Sequence, residues 1–199
     1  TLIKIIKRDI FGNMENVDWQ KIKEEIEKAE SQKIKLICYG DKDYPELLKN
    51  IYDPPSVIYV KGNLIKEDQF SISIVGTRNP SNYGIRQAYN FAKELVSRGI
   101  TVISGLARGI DIAAHRGAIN NKGRNIAVLG SGLGVIYPRE HIKESEAITL
   151  NGALISEYPI MEEPTASNFP KRNRIISGLS SGIIVVEAGI KSGALITAH

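Results

Sequence analysis

The chain has 199 residues, 42% of them hydrophobic, with 26 Lys and Arg against 22 Asp and Glu, a length and balance that suit one well-filled core with a small appendage. No apolar run approaches the about 20 residues of a membrane span, and the N-terminal Thr-Leu-Ile-Lys-Ile-Ile-Lys-Arg is too short and too interrupted for a signal peptide. The single cysteine, Cys38, closes no internal disulfide, which points to a cytoplasmic protein with no membrane partner.

Residues 1–32 read as a polar helical segment, with alternating charge over Lys21–Glu30 and with Trp19 and Ile22 as its core. Ile34–Cys38 and Val57–Val60 read as short strands, and Cys38 as a core residue of the apolar run Ile34–Tyr39. Tyr44-Pro45 and Asp53-Pro54-Pro55 are turn signals between them. After Gly62-Asn63 the pattern changes. Ser71–Val75 predicts a strand, Ser81–Arg98 a helix, Thr101–Ile103 a strand, Ile110–Asn120 a helix and Asn125–Leu129 a strand. A helix near Pro138–Thr149, a strand at Ala153–Ser156, a helix at Asn168–Leu179, a strand at Gly182–Glu187 and a helix opening near Ser192 follow. The Ser81–Arg98 helix shows its period most clearly, in Ile85, Ala88, Ala92, Leu95 and Val96, and stops at Gly99. Strands alternating with helices mean βαβ units and a largely parallel sheet covered on both faces. The expected division is a helical segment with lead-in strands over 1–66 and an α/β domain over 67–199. The last residues, Ala198-His199, fall inside an apparent helix with no C-cap, as expected of a piece of a longer protein.

Charge is unevenly spread. Residues 1–68 carry 12 basic and 13 acidic side chains, with 11 of the basic ones Lys, whereas residues 69–199 carry 14 and 9, with 9 of the basic ones Arg. The planar fork of arginine suits phosphate and stacks on bases, although drift in surface composition gives the same asymmetry. Asn168-Phe169-Pro170-Lys171-Arg172-Asn173-Arg174 concentrates the charge. It reads as a helix start with Asn168 as N-cap and Pro170 at an early position. Three cations there oppose the helix dipole, unless an anion docks where free N–H groups, dipole and side chains converge.

Each strand of the α/β part ends in small residues: Gly76-Thr77-Arg78, Ser104-Gly105, Gly130-Ser131-Gly132, Ser156-Glu157, and Glu187-Ala188-Gly189 before Ser192-Gly193. In a parallel sheet these ends share the edge where ligands bind, and glycine lets backbone N–H groups approach a phosphate. The expected site is therefore a glycine-floored notch with Arg78 and Arg174 facing one another across it. The dinucleotide fingerprint and the Walker lysine pattern are both absent, which disfavours NAD and P-loop ATP chemistry. The three histidines, His115, His141 and His199, show no metal spacing, so no metal or cofactor is expected. Asp111 and His115 share a helix face at i, i+4, either as an acid–base pair or as structural hydrogen-bonding groups. Glu157 and Glu187 sit at strand ends, as paired carboxylates or as partners for backbone N–H groups and arginines. Phe169 either stacks a base or plugs the core.

The segments Ile51-Tyr52-Asp53-Pro54-Pro55, Ile74-Val75-Gly76-Thr77-Arg78, Ser104-Gly105-Leu106-Ala107-Arg108-Gly109-Ile110-Asp111, Val128-Leu129-Gly130-Ser131-Gly132, Tyr137-Pro138, Leu154-Ile155-Ser156-Glu157-Tyr158-Pro159, and the run from Phe169 to Ser180 resemble, in order, the DNA-processing protein A (DprA, or Smf) family. The resemblance runs from Tyr44 to the end. It implies an extended Rossmann-like domain and a protein that binds single-stranded DNA, loads the RecA recombinase onto incoming strands in natural transformation, forms homodimers and catalyses nothing. It carries DNA contact onto Arg78, Lys171, Arg172, Asn173 and Arg174, with the Gly76, Gly105 and Gly130 turns as the pocket floor; the expected site further includes Thr77, Ser104, Arg108, Gly132, Phe169 and Ser192. Two departures stand out: Gly134 occupies a position that is commonly acidic in the family, and the family's continuation past Thr197-Ala198 is missing, which puts dimerisation of this chain in question. The competing reading is a nucleotide glycosidase with Glu187 as base, although the Gly-Gly-x-Gly-Thr loop of such enzymes is absent.

Overall fold

Asp18 begins the first helix of the described residues, α1 (Trp19–Ser31), by accepting the Lys21 N–H at 3.1 Å. The structure is a computed structural model and describes residues 18–189, 193 and 194; the expected helix over the first residues and the Ser192 site lie outside them. α1 reaches the core through Ala29, which packs with Ile34 and Ile148. Trp19, expected in that core, is 43% exposed, because it stands in the first turn while the helix meets the sheet through its last turns.

Seven strands form one sheet: β1 (Ile34–Cys38), β2 (Val57–Gly62), β3 (Ser71–Gly76), β4 (Thr101–Ser104), β5 (Asn125–Val128), β6 (Ala153–Ser156) and β7 (Gly182–Val186), in the order β1-β2-β6-β5-β4-β3-β7. From β6 to β7 every pair is parallel. β1 and β2 join the same sheet in antiparallel fashion, β2 pairing Tyr59 with Ser156 and Gly62 with Ala153. The sheet thus crosses residue 66, and Arg124, paired in bidentate fashion with Asp68 (2.6 and 2.7 Å), donates through Nη2 to the Asn63 carbonyl at 2.6 Å and so ties the two sides together. β4, β5 and β6 are buried along their whole length, as parallel strands with helices on both faces must be.

The helices α2 (Glu46–Lys49), α3 (Asn82–Ser97), α4 (Ile110–Asn120), α5 (Ile142–Leu150) and α6 (Asn168–Gly178) supply those covers. α3 and α4 lay Ala88, Ala92, Ala114 and Ala118 on Ile74 and Val102. α6 lays Ile175 and Ile176 on Val75, Ile103 and Val128 on the other face. Ser81 caps α3 through Gly84 N (3.1 Å), and Gly99, at φ +74°, ends it. Gly117 in α4 sits where a Cβ would lie 2.4 Å from the Tyr89 carbonyl of α3. Gly117→Ala is expected to force the two helices apart at a cost of about 1–3 kcal/mol, measured as a lower urea midpoint; an unchanged midpoint would show that the contact is soft.

Chain order along the sheet sets the site. From β3 the chain steps through β4 and β5 to β6, then returns over α6 to place β7 on the other side of β3. The strand order reverses between β3 and β7, and in open α/β sheets ligands bind at the carboxyl ends of such a switch point.

Candidate nucleic-acid interface

A cleft of about 650 Å³ opens at the switch point, between the turn after β3 and the first turns of α6. Its centre is Phe169. The ring rests on Gly130, where a Cβ would come within 2.8 Å of it. The Arg78 guanidinium lies over the ring, 5.0 Å from its centroid, and Tyr137 leans on it at 5.8 Å with planes inclined by 42°. Arg78 is exposed and has no anionic partner among the described residues, so its charge is offset only by the ring quadrupole.

Behind Phe169 stands Arg172, only 4% exposed. Its Nη1 donates to the carbonyls of Gly105 (2.7 Å) and Val128, and its Nε to Asn173 Oδ1 (3.2 Å). A Cβ on Gly105 would lie 2.7 Å from that guanidinium. Beside it, Asp111 Oδ2 accepts the N–H groups of Gly105 (3.2 Å) and Ala107 (3.4 Å). Burial pushes the Asp111 carboxyl upward, against the pull of the Arg172 charge and of those N–H groups.

Six of the expected contact residues line this cleft: Gly76, Thr77, Arg78, Phe169, Arg172 and Asn173. The others are placed differently. Arg174 is held by Glu157 (2.6 and 2.9 Å) and Asp53 (3.1 Å). With Lys171 it sits on the turn of α6 away from the cleft-lining Phe169, Arg172, Asn173 and Ile176. The expected opposition of Arg78 and Arg174 across one notch is therefore wrong: at 3.6 residues per turn, cations at 171 and 174 cannot share a face with 169, 172 and 176. Lys171 remains exposed, outside the lining. Arg108 is paired in bidentate fashion with Glu140 (2.8 and 2.9 Å). Ser104 is buried and donates to Ile74 O at 2.6 Å.

The glycine floor also differs from the expectation. Gly105 and Gly130 make room for the side chains of Arg172 and Phe169, and Gly132 is packed against the carbonyls of Pro159 and Ile160. Asn168 does not cap α6; Ser167 is the N-cap, with no side-chain hydrogen bond to the start of the helix, and buried Asn168 Nδ2 has no hydrogen-bond partner among the described residues. Asp111 and His115 are not an acid–base pair, since His115 Nδ1 meets Asn125 Oδ1 at 2.9 Å. Glu187 holds the start of α3, its Oε2 accepting from Ser81 N (2.9 Å) and Ser81 Oγ (3.1 Å). Tyr137 and Asp111 join the cleft without having been expected there; Tyr137-Pro138 is legible in the sequence only as part of the family pattern.

These features define a Rossmann-like α/β protein with a cleft at the switch point that sets an exposed arginine on an aromatic ring. The family model described as DNA recombination-mediator protein A matches residues 35–199, and the chain belongs to that family. It is 45% identical to the DNA processing protein DprA of Bacillus subtilis over 169 residues, covering 84% of this chain and 57% of that protein. It is 47% identical to protein Smf of Escherichia coli over 165 residues, covering 82% and 44%. The chain thus spans about half the length of the curated relatives it matches. The solved DprA of Streptococcus pneumoniae superposes with a TM-score of 0.80 at 38% identity, over 91% of this chain and 62% of that one. The DNA processing protein A of Helicobacter pylori, described by its single-stranded DNA binding mode, gives 0.74 at 30% identity, over 82% and 74%. No helix among the described residues is long and apolar enough to cross a membrane.

Proposed function

We propose that this chain binds single-stranded DNA in a DNA-processing role, without reading a sequence motif, and that the strand crosses the cleft at the β3–β7 switch point. The observation that carries this is Arg78, an exposed cation laid 5.0 Å from the centre of an aromatic ring. The guanidinium lies on one face of the ring, so it can meet a phosphate with its N–H groups and offer its own planar face to an unstacked base, as a strand in which the two alternate requires. Arg172, Asn173 and Thr77 would support the strand from within the cleft, and exposed Lys171 would meet a phosphate beyond it. Stacked, paired bases cannot reach the ring, so duplex is expected to bind more weakly. The Helicobacter relative, named for its mode of binding single strands, supports the same reading. The carboxylate that a glycosidase would need, Glu187, is engaged with Ser81, so the reading is of a binding protein. Transfer of the strand to a RecA recombinase by a cytoplasmic homodimer is the further role that family membership suggests.

In anisotropy titrations with a labelled oligo-dT, Arg78→Ala is expected to weaken binding about tenfold, the range for removing one stacking and charge interaction. The slope of log affinity against log salt should fall by about 0.7, because one phosphate fewer is neutralised. Equal affinity and slope in the variant would remove the cleft as the binding site.

A further inference from the structure

The α6 side of the sheet holds a second hollow, at the end opposite the cleft. It has a volume of about 430 Å³ and lies between residues 42–47, which follow β1, and residues 64–69, which lead into β3. None of its lining residues belongs to the cleft. Ile37, Ile126 and Leu179 lie at its base, and Leu47, Leu64 and Ile65 stand around them with part of their surface uncovered, 44% for Ile65. Two polar groups of the lining are already used: Tyr44 donates its hydroxyl proton to the Pro55 carbonyl at 2.8 Å, and Asp68 accepts the Ile65 N–H at 2.9 Å. Packed interiors leave few spaces larger than a water molecule, whereas an apolar hollow of several hundred Å³ has the size of a small-molecule site.

Positive charge gathers on the rim. Lys35, Lys42 and Lys66 line it and are exposed. Three carboxylates stand there too, but two are engaged: Asp68 by Arg124 (2.6 and 2.7 Å) and Glu46 by Lys49 (2.6 Å). Lys35 bonds the uncharged Asn63 amide at 3.1 Å. Three ammonium groups are therefore set against one carboxylate, Asp43, that has no ion pair among the described residues. We propose that this hollow binds a small aliphatic carboxylate, with its alkyl chain against Ile37, Leu64 and Leu179 and its head among the three lysines. A sugar or nucleobase placed there would bury polar atoms without partners, and an aliphatic ammonium ion would meet like charge. Burial of the chain supplies the affinity, and the lysines set the sign of charge that is accepted.

Calorimetric titration of the chain with hexanoate, octanoate and decanoate, each below its micelle concentration, tests this. One ligand per chain is expected, with affinity rising about fourfold for each added methylene. At low salt, octylammonium should bind about tenfold more weakly than octanoate, because the rim then repels the head. Lys42→Gln and Lys66→Gln together remove two exposed charges without touching the base of the hollow, and should weaken octanoate about fivefold. Equal affinity for octanoate and octylammonium, no dependence on chain length, or an unaltered octanoate affinity in the double variant would overturn the assignment. None of these measurements involves DNA, so failure of the strand-binding reading would leave this site standing, and the reverse.

Discussion

Replacing Arg172 with Ala is expected to lower folding stability by about 3–5 kcal/mol, the range for breaking a buried charged hydrogen-bond network. Its guanidinium bridges the carbonyls of Gly105 and Val128, which close β4 and β5, and so fastens α6 across the edge of the sheet. Without it, two buried carbonyls lose their donor, the space that Gly105 keeps free becomes a void, and Asp111 loses its compensating charge. In thermal denaturation the midpoint should fall by about 6–20 °C for a chain of this size. Lysine keeps the charge without the fork, so Arg172→Lys should fall between the two proteins. A loss below about 1 kcal/mol, the usual size of a surface substitution, would mean that Arg172 is not the post that the geometry describes.

Acidification supplies the second large effect. His115 of α4 is fully buried against β5, its Nδ1 meeting Asn125 Oδ1 and its Nε2 without a partner among the described residues. Burial pushes its pKa down to about 4, from 6.5. In the unfolded chain the imidazole takes up a proton near its ordinary value, while in the folded chain it stays neutral. The stability tied to neutral His115 is therefore complete above about pH 6.5 and is lost as pH falls from there toward about 4, a total of about 3 kcal/mol. His115→Asn retains a side-chain N–H for Asn125 but does not titrate. Urea unfolding at pH 7, 5.5 and 4 should show the two proteins converging as pH falls, because only the histidine protein loses this contribution. A constant difference across that window would contradict the assignment.

Much of the architecture was open to sequence reasoning, and for identifiable reasons. Ser81, Gly99 and the Ile85–Val96 period mark α3 because capping and amphipathicity act within a few residues. The strands from β3 to β7 were legible because burial on both faces demands continuous apolar runs, and their small-residue ends marked the edge at which the cleft opens. Errors arose where a side chain's role depends on a residue distant in sequence. Arg174 looks like a free cation until Asp53 and Glu157 are brought to it. Gly105 and Gly130 look like phosphate cradles until Arg172 and Phe169 descend into them. Trp19 looks like core until α1 is seen to dock through its other end.

Local sequence alone determined that this chain makes alternating strands and helices, that the carboxyl ends of its parallel strands are rich in glycine, and to which family it belongs, because propensity, periodicity and motif order reside in short stretches. Only the tertiary structure decided which charges are free. Ion pairing and burial depend on distances between segments far apart in the chain, and these neutralise Arg174 and Arg108, sink Arg172 into the sheet edge, and leave Arg78 on Phe169 as an exposed cation of the cleft with no anionic partner among the described residues.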